Sequence, residues 1–235
     1  MRVVVCLFLL LLPSLLSAQT LHIAVASNFQ ATAKQINASF ERRYGHKTSL
    51  SSASTGTLYS QITHGAPFDI LFAADTRTPK KLGSSSHGVD ASRSCYALGA
   101  LVLMGSDNNL HDLADPARTL AIANPNTAPY GRAALEVLSR EEFSQGSSRK
   151  LVRASNALQA YQHWYSGAVD MALVPRSLAG HEGTEIPANW YTAIEQQVIM
   201  LRNGLDHPAA QDYMRWLGSD EVQTLIVNAG YKPCP

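Results

Sequence analysis

The sequence predicts an α/β fold in two similar units, and three observations carry that expectation. Short apolar runs of strand length alternate with segments of helical periodicity, the pattern of a mostly parallel sheet with helices on its faces. Several of those runs end in small hydroxyl or amide residues just where a helix begins. Two longer apolar runs, Tyr96 to Met104 and Tyr191 to Leu201, are long enough to cross from one unit to the other and back.

The chain opens with Met1-Arg2 and an apolar run from Val3 to Leu16, followed by Ser17-Ala18-Gln19, which predicts a secretory signal peptide over residues 1–18 with cleavage after Ala18. Cys6 falls inside that segment, and no later run has the length and apolarity of a bilayer span. An exported protein is expected, with the periplasm as its address. Hydrophobic residues make up 46% of the chain and charged residues 16%, with a formal net charge of +1. Such a balance argues against a nucleic-acid surface, which needs a concentrated basic stripe. Cys95 and Cys234 remain after processing, and an oxidising compartment permits a disulfide between them. The eight histidines show neither HExxH nor any paired metal spacing, and no CxxC is present.

Leu21 to Val25 reads as a short buried strand, with Ala26-Ser27-Asn28 at its end and a helix from Phe29 through Ala33, Ile36 and Phe40 to Gly45. Lys47 to Ser52 is a second strand. It breaks into Ala53-Ser54-Thr55-Gly56, where Ser54 or Thr55 caps a helix carrying Leu58, Tyr59 and Ile62. Asp69 to Ala73 is a third strand, and Gly83 to Ser92 a Ser/Gly-rich loop. The second unit begins with Thr119 to Ala123, followed by the turn Asn124 to Gly131 and a helix from Arg132 to Leu138. Pro129 fits a first helical turn, where its missing N–H has no partner to lose. Ser155-Asn156 caps a helix whose Leu158, Tyr161 and Tyr165 form a stripe expected to pack into the core. Asp170 to Val174 is a further buried strand closed by Pro175, and two helices, opened by Asp206-His207-Pro208 and by Ser219, end the chain.

Four helix entrances therefore carry small or polar residues: Ser27/Asn28, Ser54/Thr55, Pro129/Tyr130 and Asn156/Ala157. Two belong to each unit. In parallel α/β sheets ligands sit outside the carboxyl ends of the strands. If the units face each other, the free N–H groups and dipoles of these helices converge on one anion.

The residues at these turns resemble those of a known family. Ala26-Ser27-Asn28-Phe29, Ser54 to Leu58, Gly65-Ala66-Pro67-Phe68-Asp69-Ile70, Ala73-Ala74-Asp75, Asn124-Pro125 with Ala128 to Ala134, and Gly230-Tyr231 are similar, in order and over essentially the whole mature chain, to the periplasmic molybdate-binding proteins of molybdate ABC transporters. The resemblance implies a type II periplasmic-binding-protein fold, with two α/β lobes joined by crossing strands and molybdate or tungstate held between them. Residues 19–95 and 200–235 are expected to form one lobe and 96–199 the other. It implies a ligand held by hydroxyls and backbone N–H groups rather than by counter-charges. Carried over by motif, Ser27 and Asn28 form the first ligand turn, Thr55 stands where the family usually has serine, and Tyr130 and Ala157 offer backbone contacts. Ser27 and Thr55 would touch the oxyanion's oxygens, not the metal atom itself. Pro175 falls where one branch has a ligand-touching tyrosine; the branch with APYG lacks it, and this sequence groups with that branch. Arg132 is read as an outward-facing helical arginine. The implied partner is a membrane ABC permease, with no cofactor, no nucleic acid and a monomeric state.

Two other readings compete. A sulfate or phosphate receptor shares the oxyanion chemistry, and a phosphate receptor would need a carboxylate for the ligand's proton, with Asp69 and Asp75 as candidates. An exported serine hydrolase using Ser27 or Ser54 would need a base, for which His64 is the candidate, but GxSxG is absent.

Overall fold

The computed structural model describes residues 19–106 and 109–235. The expected signal peptide, with Cys6, lies outside the described residues. Strand β1 (Leu21–Ala26) leads through a 3₁₀ turn at Ser27–Phe29 into helix α1 (Gln30–Tyr44), which ends on Gly45 at φ 73°, a left-handed cap that glycine adopts without steric cost. Then come β2 (Thr48–Ala53), α2 (Thr55–Thr63), β3 (Ile70–Ala73), α3 (Arg77–Gly83) and β4 (Ser94–Gly99). The first sheet has the order β2-β1-β3-β10-β4, where β10 is Ile194–Met200. Strands β1, β2 and β3 run parallel, in the register Ile23 opposite Leu50 and Ile70, and β10 runs antiparallel to both β3 and β4.

The second sheet repeats the plan. Its order is β7-β6-β8-β5-β9, built from β5 (Leu101–Met104), β6 (Leu120–Ala123), β7 (Leu151–Ala154), β8 (Met171–Pro175) and β9 (Thr184–Glu185). Helices α4 (Pro129–Leu138), α5 (Ala157–Tyr165) and the short α6 (Arg176–Ala179) belong to it. Strands β6, β7 and β8 are parallel and β5 antiparallel to β8. Helices α7 (Pro208–Trp216) and α8 (Asp220–Asn228) return to the first lobe, where Ala209, Tyr213, Val222 and Ile226 pack with Phe29, Phe40 and Phe72.

Strands β3, β5, β6 and β8 are buried along their whole length, because helices cover both faces of each sheet. The run from Tyr96 to Met104 is two strands rather than one, broken at Ala100, whose carbonyl accepts from the Arg176 N–H at 2.9 Å. Of Tyr191 to Leu201, only Ile194–Met200 is strand. The lobe limits expected at 95/96 and 199/200 run through β4 and β10, and hydrogen bonding keeps both strands in the first sheet. The change of sheet falls at Ala100 and in the segment before Ile194. The aromatic stripe of α5 is not core: the helix buries Ala157 and Ala160, whereas Tyr165 is 75% exposed and stacks on Tyr161 at the surface. Small residues face inward there because α5 lies close against β6 and β8.

Cys95 on β4 is bonded to Cys234, with Cα atoms 6.1 Å apart. The tail reaches it by pairing with β4, through Leu98 N–H to Lys232 O at 2.8 Å and Lys232 N–H to Leu98 O at 2.9 Å. Among the described residues no helix is long and apolar enough to cross a membrane.

Candidate functional site

The four helix entrances lie on the two lobes, two on each. In the first lobe, Ser27 and Asn28 occupy the turn between β1 and α1 and are buried. Both amide protons of Asn28 are committed, with Nδ2 donating to Gln196 Oε1 at 2.7 Å and to the Tyr231 hydroxyl at 3.1 Å. Its carbonyl accepts from the Tyr231 hydroxyl at 2.8 Å and from Ser177 Oγ at 3.0 Å. The turn is thus fixed from beneath. What Asn28 has left to offer an anion is its backbone N–H.

Ser54 is the N-cap of α2, its Oγ accepting from Thr57 N, and it also pairs with Thr57 Oγ1 at 2.7 Å. Thr55 is the first helical residue and only 1% exposed. Its Oγ1 accepts from the Ala74 N–H at 3.0 Å. That bond orients the hydroxyl and leaves its proton to donate elsewhere.

In the second lobe, α4 begins at Pro129 after the N-cap Ala128, so the first N–H the helix presents is that of Tyr130. The entrance lies tight on β6: a Cβ on Gly131 would stand 2.2 Å from the Ala123 carbonyl oxygen. The Tyr130 phenol points away from the entrance, into space left by Gly99, and accepts from Gln196 Nε2 at 3.4 Å. Asn156 caps α5 by accepting from Gln159 N at 3.0 Å, which makes buried Ala157 the first residue of that helix.

The lobes bring these turns together. The Ser27–Phe29 turn packs against α5 and α6. Ala26, Ala74 and Tyr130 share one apolar cluster, and Ala123, Ala128 and Ala157 another. Gly56 N–H donates to the Thr127 carbonyl across the interface at 2.8 Å. The first-lobe turn at Ser27–Phe29 thus meets α5 and α6, and the start of α2 meets the loop before α4.

Asp69, Asp75 and Arg132 are each engaged by protein partners. Asp69, buried behind β3, accepts from His22 N–H at 2.7 Å. Asp75 caps α3 through Thr78 N–H at 2.9 Å and pairs with Arg132 at 2.9 Å. Arg132 therefore does not face outward as the sequence suggests; it reaches across to the other lobe, because Asp75 stands opposite the first turn of α4. His64 sits at the far end of α2, about 15 Å along the helix axis from Ser54, its ring bonded to Ser60 O. That separation keeps the candidate base out of reach of Ser54.

Sequence reasoning passed over Gln196, Ser177 and Thr127. Gln196 had a signal: it alternates with Ile194 and Val198 on the buried face of β10, and it is wholly buried. Ser177 and Thr127 act through contacts between lobes, which no local pattern records.

Burial raises the Tyr96, Tyr130 and Tyr231 phenols well above their ordinary range, so all three stay neutral near an anion. Because the folded state holds these protons more tightly, stability is complete below the unfolded phenol value of about 10 and falls as pH rises above it. The expected result of an alkaline titration is that phenolate absorbance from these tyrosines develops together with unfolding. Full ionisation in a still-folded protein near that pH would contradict it.

Three comparisons bear on this arrangement. Residues 21–232 match the family described as bacterial extracellular solute-binding protein. The molybdate-binding protein ModA of Azotobacter vinelandii is 37% identical, the alignment covering 98% of this chain and 96% of that one, and the ModA of Rhodobacter capsulatus is 35% identical over 88% and 86%. The solved structure of the periplasmic molybdate-binding protein of A. vinelandii superposes with a TM-score of 0.85 at 32% identity, covering 92% of this chain and all of that one.

Proposed function

Because the chain belongs to the bacterial extracellular solute-binding proteins, we propose that its cleft captures molybdate or tungstate and delivers it to a membrane ABC permease. The observation that supports the reading is that helix entrances of the two lobes meet, the Ser27–Asn28 turn against α5 and the start of α2 against the loop before α4. A permanent dianion suits such a site. Fixed N–H donors supply charge-assisted hydrogen bonds without the ordering cost of long side chains. Protonated phosphate fits poorly, since it needs a free carboxylate acceptor and both candidates, Asp69 and Asp75, are engaged elsewhere. Sulfate is smaller, and donors spaced for molybdate leave its oxygens short of some of them. The likeness to the two ModA proteins supports the same reading.

In this reading Ser27 and Thr55 donate through their hydroxyls, and Asn28, Tyr130 and Ala157 through backbone N–H groups. The protein binds and releases its cargo without chemical change, works as a monomer in the periplasm after losing residues 1–18, and needs no cofactor.

Titration of the purified mature chain with molybdate, tungstate, sulfate and phosphate tests this. Molybdate at about 100 times its dissociation constant adds roughly 2.7 kcal/mol to stability. For a chain of this size the melting temperature should rise by about 5–11 °C. Equal shifts with sulfate would remove the proposed selectivity.

A further inference from the structure

Two contacts join the lobes beside the proposed anion place, and neither involves a group assigned to the anion. One is the hydrogen bond from Gly56 N–H to the Thr127 carbonyl at 2.8 Å. The other is the Asp75–Arg132 pair at 2.9 Å, whose side chains are 13% and 33% exposed. We propose that these two contacts form a latch between the lobes, and that Gly56, Asp75 and Arg132 are positioning residues that set how long the anion stays bound. The proposal rests on the molybdate reading for its ligand but not for its geometry.

Gly56 is the sharper of the two. It is the second residue of α2, a right-handed helical position where alanine is the better helix former. A Cβ there would stand 2.9 Å from Thr127 Cα, 3.0 Å from its carbonyl oxygen and 3.2 Å from its Cβ, so its three nearest neighbours all belong to the other lobe. Close approach of the lobes accounts for glycine at this position. It lets two backbones meet and hands one helix-initial N–H to the opposite lobe.

The ion pair works on the same seam. Asp75 follows β3 and Ala74, whose N–H orients the Thr55 hydroxyl, and Arg132 lies two residues beyond Tyr130. Closing the pair therefore brings the Thr55 and Tyr130 entrances into register. Asp75 Oδ1 is separately occupied by Thr78 N–H, so its two oxygens have two tasks, capping α3 and reaching Arg132. A cavity of about 280 Å³, lined by both partners together with Ala74, Pro129 and the segment Thr192–Glu195, borders the pair and shows where solvent approaches the seam.

The test uses the mature chain with sodium molybdate, measuring association and release by stopped-flow fluorescence and the radius of gyration by small-angle scattering. Gly56→Ala should fold normally and melt no lower than wild type without ligand, since alanine suits the helix better. It should nevertheless release molybdate about ten- to a hundredfold faster, because overpacking a tight contact opposes closure. Its association rate should change little, and its radius with molybdate should exceed that of wild type. Asp75→Asn keeps the Thr78 cap and removes the charge. Asp75→Asn and Arg132→Gln should each speed release about two- to fivefold, with the double variant no worse than either single one and the effect shrinking in high salt.

Unchanged release in Gly56→Ala, or full additivity of the two charge variants, would overturn the latch. So would a lower ligand-free melting temperature in Gly56→Ala, which would make the glycine a requirement of the first lobe itself. Failure of the wild type to take up molybdate would instead overturn the proposed ligand. The scattering comparison of wild type with Gly56→Ala still decides the latch in that case, equal radii counting against it.

Discussion

Ser27→Ala and Thr55→Ala should each weaken molybdate binding by roughly ten- to a hundredfold. Each removes one hydrogen bond to a charged group, a loss on the order of 1.5–3 kcal/mol. Thr55 carries the stronger argument. Its oxygen is already held by the Ala74 N–H, so the hydroxyl proton is aimed by the fold and its loss leaves an unfilled position on the anion. Thr55→Ser keeps the hydroxyl and sheds only the methyl group, and it should retain most of the affinity. Tyr130→Phe leaves the backbone N–H in place and removes a phenol that faces Gln196, so its effect should be milder. Calorimetric titration at two salt concentrations distinguishes hydroxyl loss from charge loss. Intact binding in both Ser27→Ala and Thr55→Ala would mean that hydroxyls do not build this site.

The second large effect concerns stability. Breaking the Cys95–Cys234 bond, by reduction or by Cys95→Ser with Cys234→Ser, should cost about 2–5 kcal/mol. The bond spans 139 residues of sequence, for which chain entropy alone sets a ceiling near 5 kcal/mol. Part of that is retained by the paired backbone at Leu98 and Lys232, which keeps the tail in place without the sulfurs. The expected outcome is a melting temperature lower by about 2–4 °C for each kcal/mol lost. Urea unfolding with and without reductant measures it directly, and coincident midpoints would show that the bond contributes nothing.

What the sequence revealed and what it hid follow from range. The caps at Ser54, Asn156 and Ser219 were legible because each is a local pattern, a side chain accepting from an N–H three residues on. The buried strands β3, β6 and β8 were legible from unbroken apolar runs. Strand β7 was not, since Leu151–Ala154 is a four-residue edge strand with an exposed arginine and no alternation to betray it. Helix α6 escaped because four residues carry no period. In α5, Leu158, Tyr161 and Tyr165, spaced by three and four residues, imitated a core stripe, while the buried face was carried by alanines too small to weigh in a hydrophobic pattern. At the site, the entrances could be read one at a time. Their meeting could not, because it depends on pairs such as Asn28 with Gln196 and Asp75 with Arg132 that are far apart in sequence.

The split of the first lobe between the two ends of the chain has a bearing on the order of folding. The second sheet is closed by a continuous stretch from β5 to β9, so it can form as that stretch emerges. The first sheet must wait for β10, and the turn after β1 waits longer still: the Asn28 carbonyl finds the Tyr231 hydroxyl 203 residues later. Contacts this distant in sequence form slowly. A chain threaded outward from its N-terminus therefore carries an unfinished first half until its final helix is through.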